Sequence, residues 1–184
     1  MSQAPHHPQG LPLPDAPVLE TGRLMLRLPE ARDLAAYAAF FADAEASHFY
    51  GGPLLPYQAW ERLAGDIGHF ALKGFGRFTL TQDGKTIGGC GILDVDGWPG
   101  HELTWWLLPA ARGQGLAQEA SRAVLSWAGR SLGWPLVETH FRDENIAARR
   151  LTESLGGRKQ RREIFPDGIT RDIYAIPTRI KAIA

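Results

Sequence analysis

One cysteine, no net charge and no long apolar run are the first features of this sequence. The single thiol, Cys90, excludes an intrachain disulfide framework, and the chain starts without the basic and apolar pattern of a signal peptide, so we expect a cytoplasmic protein. The 20 Lys and Arg residues balance the 20 Asp and Glu residues, which disfavours a nucleic-acid or anionic membrane partner. No uninterrupted apolar stretch approaches the ~20 residues of a membrane span.

The remaining composition is that of one globular domain. The chain has 184 residues, of which 44% are hydrophobic, and this is enough to fill a single core. Prolines at positions 5, 8, 12, 14 and 17 deny the start of the chain regular hydrogen bonding. We therefore expect residues 1–17 to be a disordered tail.

The spacing of apolar residues predicts a mixed α/β fold. Asp83-Gly84 and Pro166-Asp167-Gly168 are turn signals, and each predicts a hairpin. The predicted strands are 23–28, 75–81, 86–95, 101–108, 136–141, 158–165 and 169–176. The predicted helices are 30–41, 56–72, 116–132 and 146–155.

A glycine-containing loop, Arg112-Gly113-Gln114-Gly115-Leu116-Ala117, joins a predicted strand to a predicted helix. Its two glycines let the backbone approach a ligand, and the following helix presents its positive dipole end. Arg112 adds a cation with a forked donor face, so the loop predicts a site for a phosphate-bearing cofactor. A dinucleotide fingerprint is disfavoured because Gln118 occupies its third glycine position.

The loop resembles the acyl-CoA pyrophosphate loop of the GNAT superfamily of N-acetyltransferases, whose pattern Gln/Arg-x-x-Gly-x-Gly/Ala is met at Arg112, Gly115 and Ala117. Residues 19–27 and 143–156 resemble the first strand and the late helix of its Rim-type branch, the RimJ/RimL-like proteins. The resemblance covers residues 18–177, which leaves residues 178–184 as a C-terminal tail. It implies a twisted, mostly antiparallel sheet of about seven strands, with about four flanking helices and splayed central strands.

The resemblance also implies a cofactor site for acetyl-CoA, the acetyl donor. The backbone N–H near Leu107 would stabilise the charge that develops on the thioester oxygen. Asn145 would contact the cofactor, although asparagine also favours this position as an ordinary helix cap. The implied cofactor-binding residues are Leu107, Leu108, Arg112, Gly113, Gln114, Gly115, Leu116, Ala117 and Asn145. No metal is expected, because Asp94 and Asp96 fit an exposed connection better than a metal site.

The predicted catalytic residues are Glu102 and Leu107. Transfer to an amine requires a neutral nucleophile, yet an amine of pKa ~10 lies about three units above neutral pH, a gap worth roughly 4 kcal/mol. Glu102 begins the strand that leads into the loop, and in the resembling family an acid at this position often accepts the proton. His101 beside it, or a chain of water molecules, is the alternative.

Two positions bear on the rest of the mechanism. Many members of the superfamily protonate the departing thiolate with a tyrosine on the late helix, but Thr152 occupies that position and is a poor proton donor. Cys90 lacks a neighbouring base or cation, so no covalent acyl-enzyme is expected.

The sequence therefore predicts an N-acetyltransferase that works by direct attack in a ternary complex. The acceptor is a primary amine, either a protein N-terminus or a small molecule. A noncatalytic acyl-CoA-binding module is the alternative, and either a monomer or a homodimer fits the sequence.

Overall fold

Eight strands form one sheet in the order β1-β2-β3-β4-β5-β6-β8-β7. The structure is a computed structural model that describes residues 17–179. Neighbouring strands are antiparallel except β5 and β6, which are parallel. The strands are β1 (Leu19–Glu20), β2 (Met25–Arg27), β3 (Arg77–Gln82), β4 (Lys85–Leu93), β5 (Glu102–Leu107), β6 (Leu136–Phe141), β7 (Arg158–Ile164) and β8 (Thr170–Pro177).

Within residues 17–179, four α-helices accompany the sheet. Pro56 begins the second of them, where its fixed φ suits the first turn, and Gly74 follows its last residue at a φ of 77°. The third continues beyond Trp127 as a π-helical turn. The helices are α1 (Leu34–Ala42), α2 (Pro56–Lys73), α3 (Leu116–Trp127) and α4 (Ile146–Ser154).

Strand β5 is buried on both faces of the sheet. Trp106 points toward α1, where its ring lies edge-on to that of Tyr37 at 4.8 Å between centroids. Leu103 and Leu107 point the opposite way, into the cluster that contains Leu116 of α3. Packing from both sides therefore fixes the backbone of the strand that leads into the glycine-containing loop.

Strand β4 contains three glycines that allow its neighbours to approach closely. A Cβ atom on Gly88 would lie 2.2 Å from the Trp106 carbonyl oxygen, and one on Gly89 would lie 2.5 Å from the Trp106 indole nitrogen. A Cβ atom on Gly91 would lie 2.1 Å from the Gly76 carbonyl oxygen and 2.4 Å from the Arg77 Cα. The missing side chains thus set how near β3 and β5 lie to β4.

Asp33 is a fully buried carboxylate that ties the start of α1 to the sheet. It accepts hydrogen bonds from Arg27 at 2.8 and 2.9 Å, from Thr79 at 2.9 Å, from Thr86 at 2.7 Å and from the Glu30 N–H at 2.8 Å. Burial raises the pKa of Asp33, but these donors outweigh it and lower the pKa to about 2. The carboxylate is therefore ionised in the folded protein at neutral pH.

The predicted mixed α/β fold is confirmed, with a mostly antiparallel sheet and helices on both faces. Strand β6 has the predicted bounds, whereas the predicted strand 23–28 is shorter and is preceded by the two-residue β1. The sheet therefore has eight strands instead of about seven.

The predicted tails fall mostly beyond the described part of the chain. Residues 1–16 of the expected N-terminal tail and residues 180–184 of the C-terminal tail lie outside the described residues. No helix within residues 17–179 is long and apolar enough to cross a bilayer.

Candidate active site

A groove of about 740 Å³ lies between the end of β5, the start of α3 and one side of α4. Five of the predicted loop residues line it, namely Arg112, Gly113, Gly115, Leu116 and Ala117. Leu107, Asn145 and the segment 44–50 complete much of the wall. The sequence-predicted cofactor residues are thus largely brought together in one place.

The glycine-containing loop leaves the N-terminus of α3 open toward this groove. Gly113 and Gly115 have φ angles of 74° and 75°, a conformation that other residues rarely adopt. Gly115 is the N-cap residue, and no side chain caps the helix. The first backbone N–H groups of α3 are therefore free of a capping side chain, and the helix dipole adds to their attraction for an anion.

Two side chains hold the loop in this shape from behind. Arg23 forms an ion pair with Glu119 at 2.6 Å and donates a hydrogen bond to the Gln114 carbonyl oxygen at 2.9 Å. The Gln114 amide nitrogen donates to the Ala110 carbonyl oxygen at 2.9 Å, so this side chain serves the turn.

Arg112, which the sequence predicts as a phosphate ligand, also has partners within the protein. Its Nε donates to the Leu107 carbonyl oxygen at 3.1 Å, and its Nη2 donates to the Ala46 carbonyl oxygen at 3.0 Å. The guanidinium lines the groove but also links the end of β5 to the loop after α1. Its positive charge remains close to the groove, while two of its donors serve the protein.

Strands β5 and β6 are hydrogen-bonded at one end and diverge beyond it. They pair in register only at Glu102 and Glu138, and the Thr139 hydroxyl donates to the Leu103 carbonyl oxygen at 2.9 Å. The Leu108 N–H donates across to Ile87 of the β4 side at 2.9 Å. The Leu108 N–H is therefore hydrogen-bonded within the sheet, and Leu108 does not line the groove.

The alternation of the antiparallel ladder decides which groups face the gap between β5 and β6. Because Leu108 bonds toward β4, the N–H and C=O groups of Leu107 and Trp105 turn toward the gap. The Trp105 carbonyl accepts a hydrogen bond from the Tyr50 hydroxyl, and the Leu107 carbonyl accepts one from Arg112. Hydrogen-bond donors thus satisfy the carbonyl oxygens along this edge of β5. The N–H groups beside them make this edge electropositive.

A second cavity, of about 440 Å³, opens where the groove ends. It shares five lining residues with the groove, namely Phe49, Tyr50, Trp105, Asn145 and Ala148. Glu102 and His140 line the second cavity and not the groove. The two spaces therefore meet at the β5 edge, with a candidate base on one side and a candidate anion site on the other.

Glu102, His140 and Trp98 converge on one nitrogen atom. His140 Nε2 lies 3.1 Å from Glu102 Oε2 and 3.1 Å from the Trp98 indole nitrogen. The indole N–H can only donate, so Nε2 cannot accept from Trp98 and donate to Glu102 at the same time. Nε2 therefore acts either as donor or as acceptor, in a pocket where the Glu102 and His140 side chains are only 19% and 9% exposed.

The other residues that the sequence singles out have structural partners or lie outside one or both cavities. His101 stacks on Trp134 at 4.1 Å between ring centroids and does not line the second cavity. Asn145 accepts the Ala148 N–H at 3.1 Å as a helix cap, and it also lines both cavities. Thr152 is fully buried and lines neither space. Burial raises the pKa of the Cys90 thiol to about 12.

Sequence reasoning missed two residues of the site, His140 and Arg77. His140 alternates with the buried positions of a correctly predicted strand, and its partner Glu102 is 38 residues away. Arg77 is the first residue of β3, and a charged residue at the end of a strand does not by itself indicate a functional site.

Comparison with known proteins agrees with this geometry. Residues 23–158 match the acetyltransferase (GNAT) domain family. An acetyltransferase from Agrobacterium tumefaciens strain C58 is 27% identical with a TM-score of 0.80, over 92% of this chain and 98% of that one. RimL, a ribosomal L7/L12 alpha-N-protein acetyltransferase in complex with coenzyme A, is 13% identical with a TM-score of 0.72, over 88% of this chain and 98% of that one.

A third structure, AAC(6′)-Ib in complex with ribostamycin and coenzyme A, is 19% identical with a TM-score of 0.73, over 88% of this chain and 99% of that one. At these identities RimL and AAC(6′)-Ib share the fold, and the likeness to RimL does not single out the Rim-type branch. The family match covers most of the chain and includes the loop, β5 and α4. The chain belongs to the GNAT acetyltransferase family.

Proposed function

We propose that this protein is an acetyl-CoA-dependent N-acetyltransferase in which the acceptor amine attacks the thioester directly. One observation carries the proposal: an anion-binding groove and a cavity with a shielded carboxylate meet at the electropositive edge of β5. Acetyl-CoA, when bound, supplies the activated acetyl group.

The groove fits the chemistry of coenzyme A. Its uncapped helix N-terminus and the Arg112 guanidinium favour a pyrophosphate, as in other helix-start anion sites. The wall beyond them contains Leu107, Leu151 and Ala148, which suit the less polar pantetheine arm. The groove volume of about 740 Å³ is within the usual range for ligand sites.

The β5 edge provides the donor for the reacting carbonyl. The Leu107 N–H faces the gap between β5 and β6. A donor that is already in position need not reorient during the reaction, so it stabilises developing negative charge better than water does. Removing such a donor typically costs about 10²- to 10³-fold in rate. The backbone role makes the identity of the Leu107 side chain secondary.

Glu102 and His140 together take the proton from the acceptor. An ammonium of pKa ~10 must lose its proton before attack, and Glu102 lines the cavity where the amine would enter. His140 Nε2, at 3.1 Å from the carboxylate, offers the second proton site and restrains the Glu102 side chain. The stacking of His101 on Trp134, outside the cavity, favours Glu102 over His101 in this role.

No side chain supports a covalent acyl-enzyme at Cys90. The thiol is fully buried, lies 3.7 Å from the Ser121 hydroxyl and has its pKa raised to about 12 by burial. A thiolate is the nucleophilic form, and it is scarce at neutral pH with such a pKa. Direct transfer in a ternary complex is therefore the mechanism that these residues favour.

A noncatalytic acyl-CoA-binding module is the second candidate. It is favoured by Thr152, which stands at the tyrosine position, is buried and lines neither cavity. Turnover separates the two candidates: acetyl-CoA is incubated with a pooled panel of peptide N-termini and small amines, and free thiol is measured against a no-amine control. Amine-dependent release supports the enzyme, whereas tight CoA binding without any amine-dependent release supports the module.

A further inference from the structure

The second cavity, which contains Glu102 and is called the acceptor-side cavity from here on, has an unusual charge content for a site that receives an ammonium ion. Its lining includes four arginines and two carboxylates. The arginines are Arg62, Arg77, Arg142 and Arg171, and the carboxylates are Glu102 and Asp167. A cavity built for a bare or polycationic amine would be expected to have the opposite excess.

One of these arginines is neutralised by the wall itself. Arg171 makes a bidentate ion pair with Asp167, at 2.5 and 2.8 Å. Its guanidinium carbon also lies 4.7 Å from the centroid of the Phe165 ring and 5.6 Å from that of Trp98. Arg171 and Asp167 are part of the cavity wall, and their opposite charges cancel each other.

Arg77 is only partly satisfied by protein groups. Its Nη1 donates to Asp66 Oδ2 at 3.2 Å, and that oxygen also accepts the Tyr37 hydroxyl at 2.6 Å. The Arg77 Nε is buried and has no hydrogen-bond partner within residues 17–179. A buried donor without a partner is costly, unless a ligand supplies the acceptor.

Arg62 and Arg142 have no carboxylate within 4.0 Å among residues 17–179. Arg62 lies at the exposed side of the cavity, with its guanidinium 5.9 Å from the centroid of the Phe41 ring. Arg142 is half-buried at the end of β6, two residues after His140. Two forked donors therefore line the same cavity as Glu102 without an ion-pair partner among residues 17–179.

We infer that the acceptor carries a carboxylate close to its amine. Arg142 and Arg62 bind this carboxylate, and the amine lies toward Glu102 at the β5 edge. Guanidinium groups match the two oxygens of a carboxylate, and such charge-assisted hydrogen bonds are roughly twice as strong as neutral ones. The aromatic walls, which include Trp98, Trp105 and Phe141, suit an apolar side chain of the same acceptor.

The inference rests on the proposed function and narrows its substrate class. A free amino acid and a peptide N-terminus with an acidic first residue both present an amine next to a carboxylate. The cavity volume of about 440 Å³ holds a compound of this size or one terminal residue. A polycationic acceptor, in contrast, would place several positive charges against Arg62, Arg77 and Arg142.

Matched acceptors test the inference because they differ only in the carboxylate. The pairs are phenylalanine with phenethylamine, leucine with isoamylamine, and tryptophan with tryptamine, and peptides that begin with Asp are compared with the same peptides beginning with Asn. The kcat/KM is calculated per neutral amine, which removes differences in amine pKa. We expect the carboxylate member to be preferred by about tenfold to a hundredfold in one of the two arms, and that arm identifies the source.

Variants locate the preference in the cavity. Arg142→Gln and Arg62→Gln should each reduce the ratio of kcat/KM within a pair by about tenfold. Arg150→Gln, on an exposed position of α4 outside the cavity, is the matched control and should leave the ratio unchanged. Equal or better turnover of the carboxylate-free members overturns the inference while the proposed function stands. Absence of turnover with every amine overturns both.

Discussion

Replacing Glu102 with glutamine is the most direct test of the proposed chemistry. The change keeps the size of the side chain but removes its capacity to accept a proton. Glu102 lines the acceptor-side cavity and not the groove, so acetyl-CoA affinity should be preserved while kcat falls.

The structure places the expected loss near the lower end of the usual range. Loss of a general base typically costs about 10²- to 10⁴-fold. His140 Nε2 is 3.1 Å from the missing carboxylate, so it remains as a second proton acceptor in the variant. We therefore expect a loss of about 10²-fold for Glu102→Gln and a further loss of about tenfold when His140→Gln is added.

The pH dependence gives the sharper readout. The neutral fraction of an amine grows about tenfold per pH unit below its pKa, which is ~10 for an aliphatic amine and ~8 for a peptide N-terminus, so the need for a base declines as the pH rises toward that pKa. The deficit of the variant should shrink between about pH 6 and 9. Thiol release at saturating acetyl-CoA measures kcat, and calorimetry measures cofactor affinity. Glu144→Gln, at an exposed position, is the control and should leave both unchanged. A variant with wild-type kcat throughout this range would refute the role of Glu102.

Three further predictions concern the loop, the sheet and the buried carboxylate. Gly115→Val should abolish CoA binding in calorimetry, whereas Gly133→Val, with a similar φ of 70° but away from the groove, should be strained without losing affinity. Gly91→Ala should lower the free energy of unfolding in urea by about 3 kcal/mol, because its Cβ would meet backbone atoms at 2.1 and 2.4 Å, and an unchanged midpoint would contradict the close packing of β3 on β4. Since the pKa of Asp33 is lowered from 3.8 to about 2 on folding, its contribution of about 2 kcal/mol should be complete above pH 4 and lost as the pH falls to 2. Asp33→Asn should remove this part of the acid dependence and leave the stability curve flatter between these pH values.

The sequence predicted those parts of the fold whose causes are local. Asp83-Gly84 produces the β3–β4 hairpin because Asp83 and Gly84 both take positive φ, and in the Pro166-Asp167-Gly168 turn between β7 and β8 Gly168 takes positive φ. The loop conformation was also predictable, since Gly113 and Gly115 precede an amphipathic helix. β1 was missed because two residues are too few to show a period.

The parts that could not be predicted depend on partners that are distant in the chain. The sequence predicts Arg112 as a phosphate ligand but does not reveal that its Nη2 also donates to the Ala46 carbonyl, 66 residues away. Glu102 was identified from its place before the loop, while the nitrogen that complements it belongs to His140 on a parallel neighbour. Charge content alone did not reveal the acceptor-side arginines, because the net charge of the whole chain is zero.

The segment from Ala46 to Tyr50 belongs to both cavities and is tied to β5 at both of its ends. Arg112 holds Ala46, and the Tyr50 hydroxyl holds the Trp105 carbonyl. A ligand in the groove that orders this segment therefore also orders part of the wall of the acceptor-side cavity. In the proposed enzyme this contact would link the binding of the two substrates, and such linkage is reciprocal: the factor by which the cofactor raises the affinity for the acceptor equals the factor by which the acceptor raises the affinity for the cofactor.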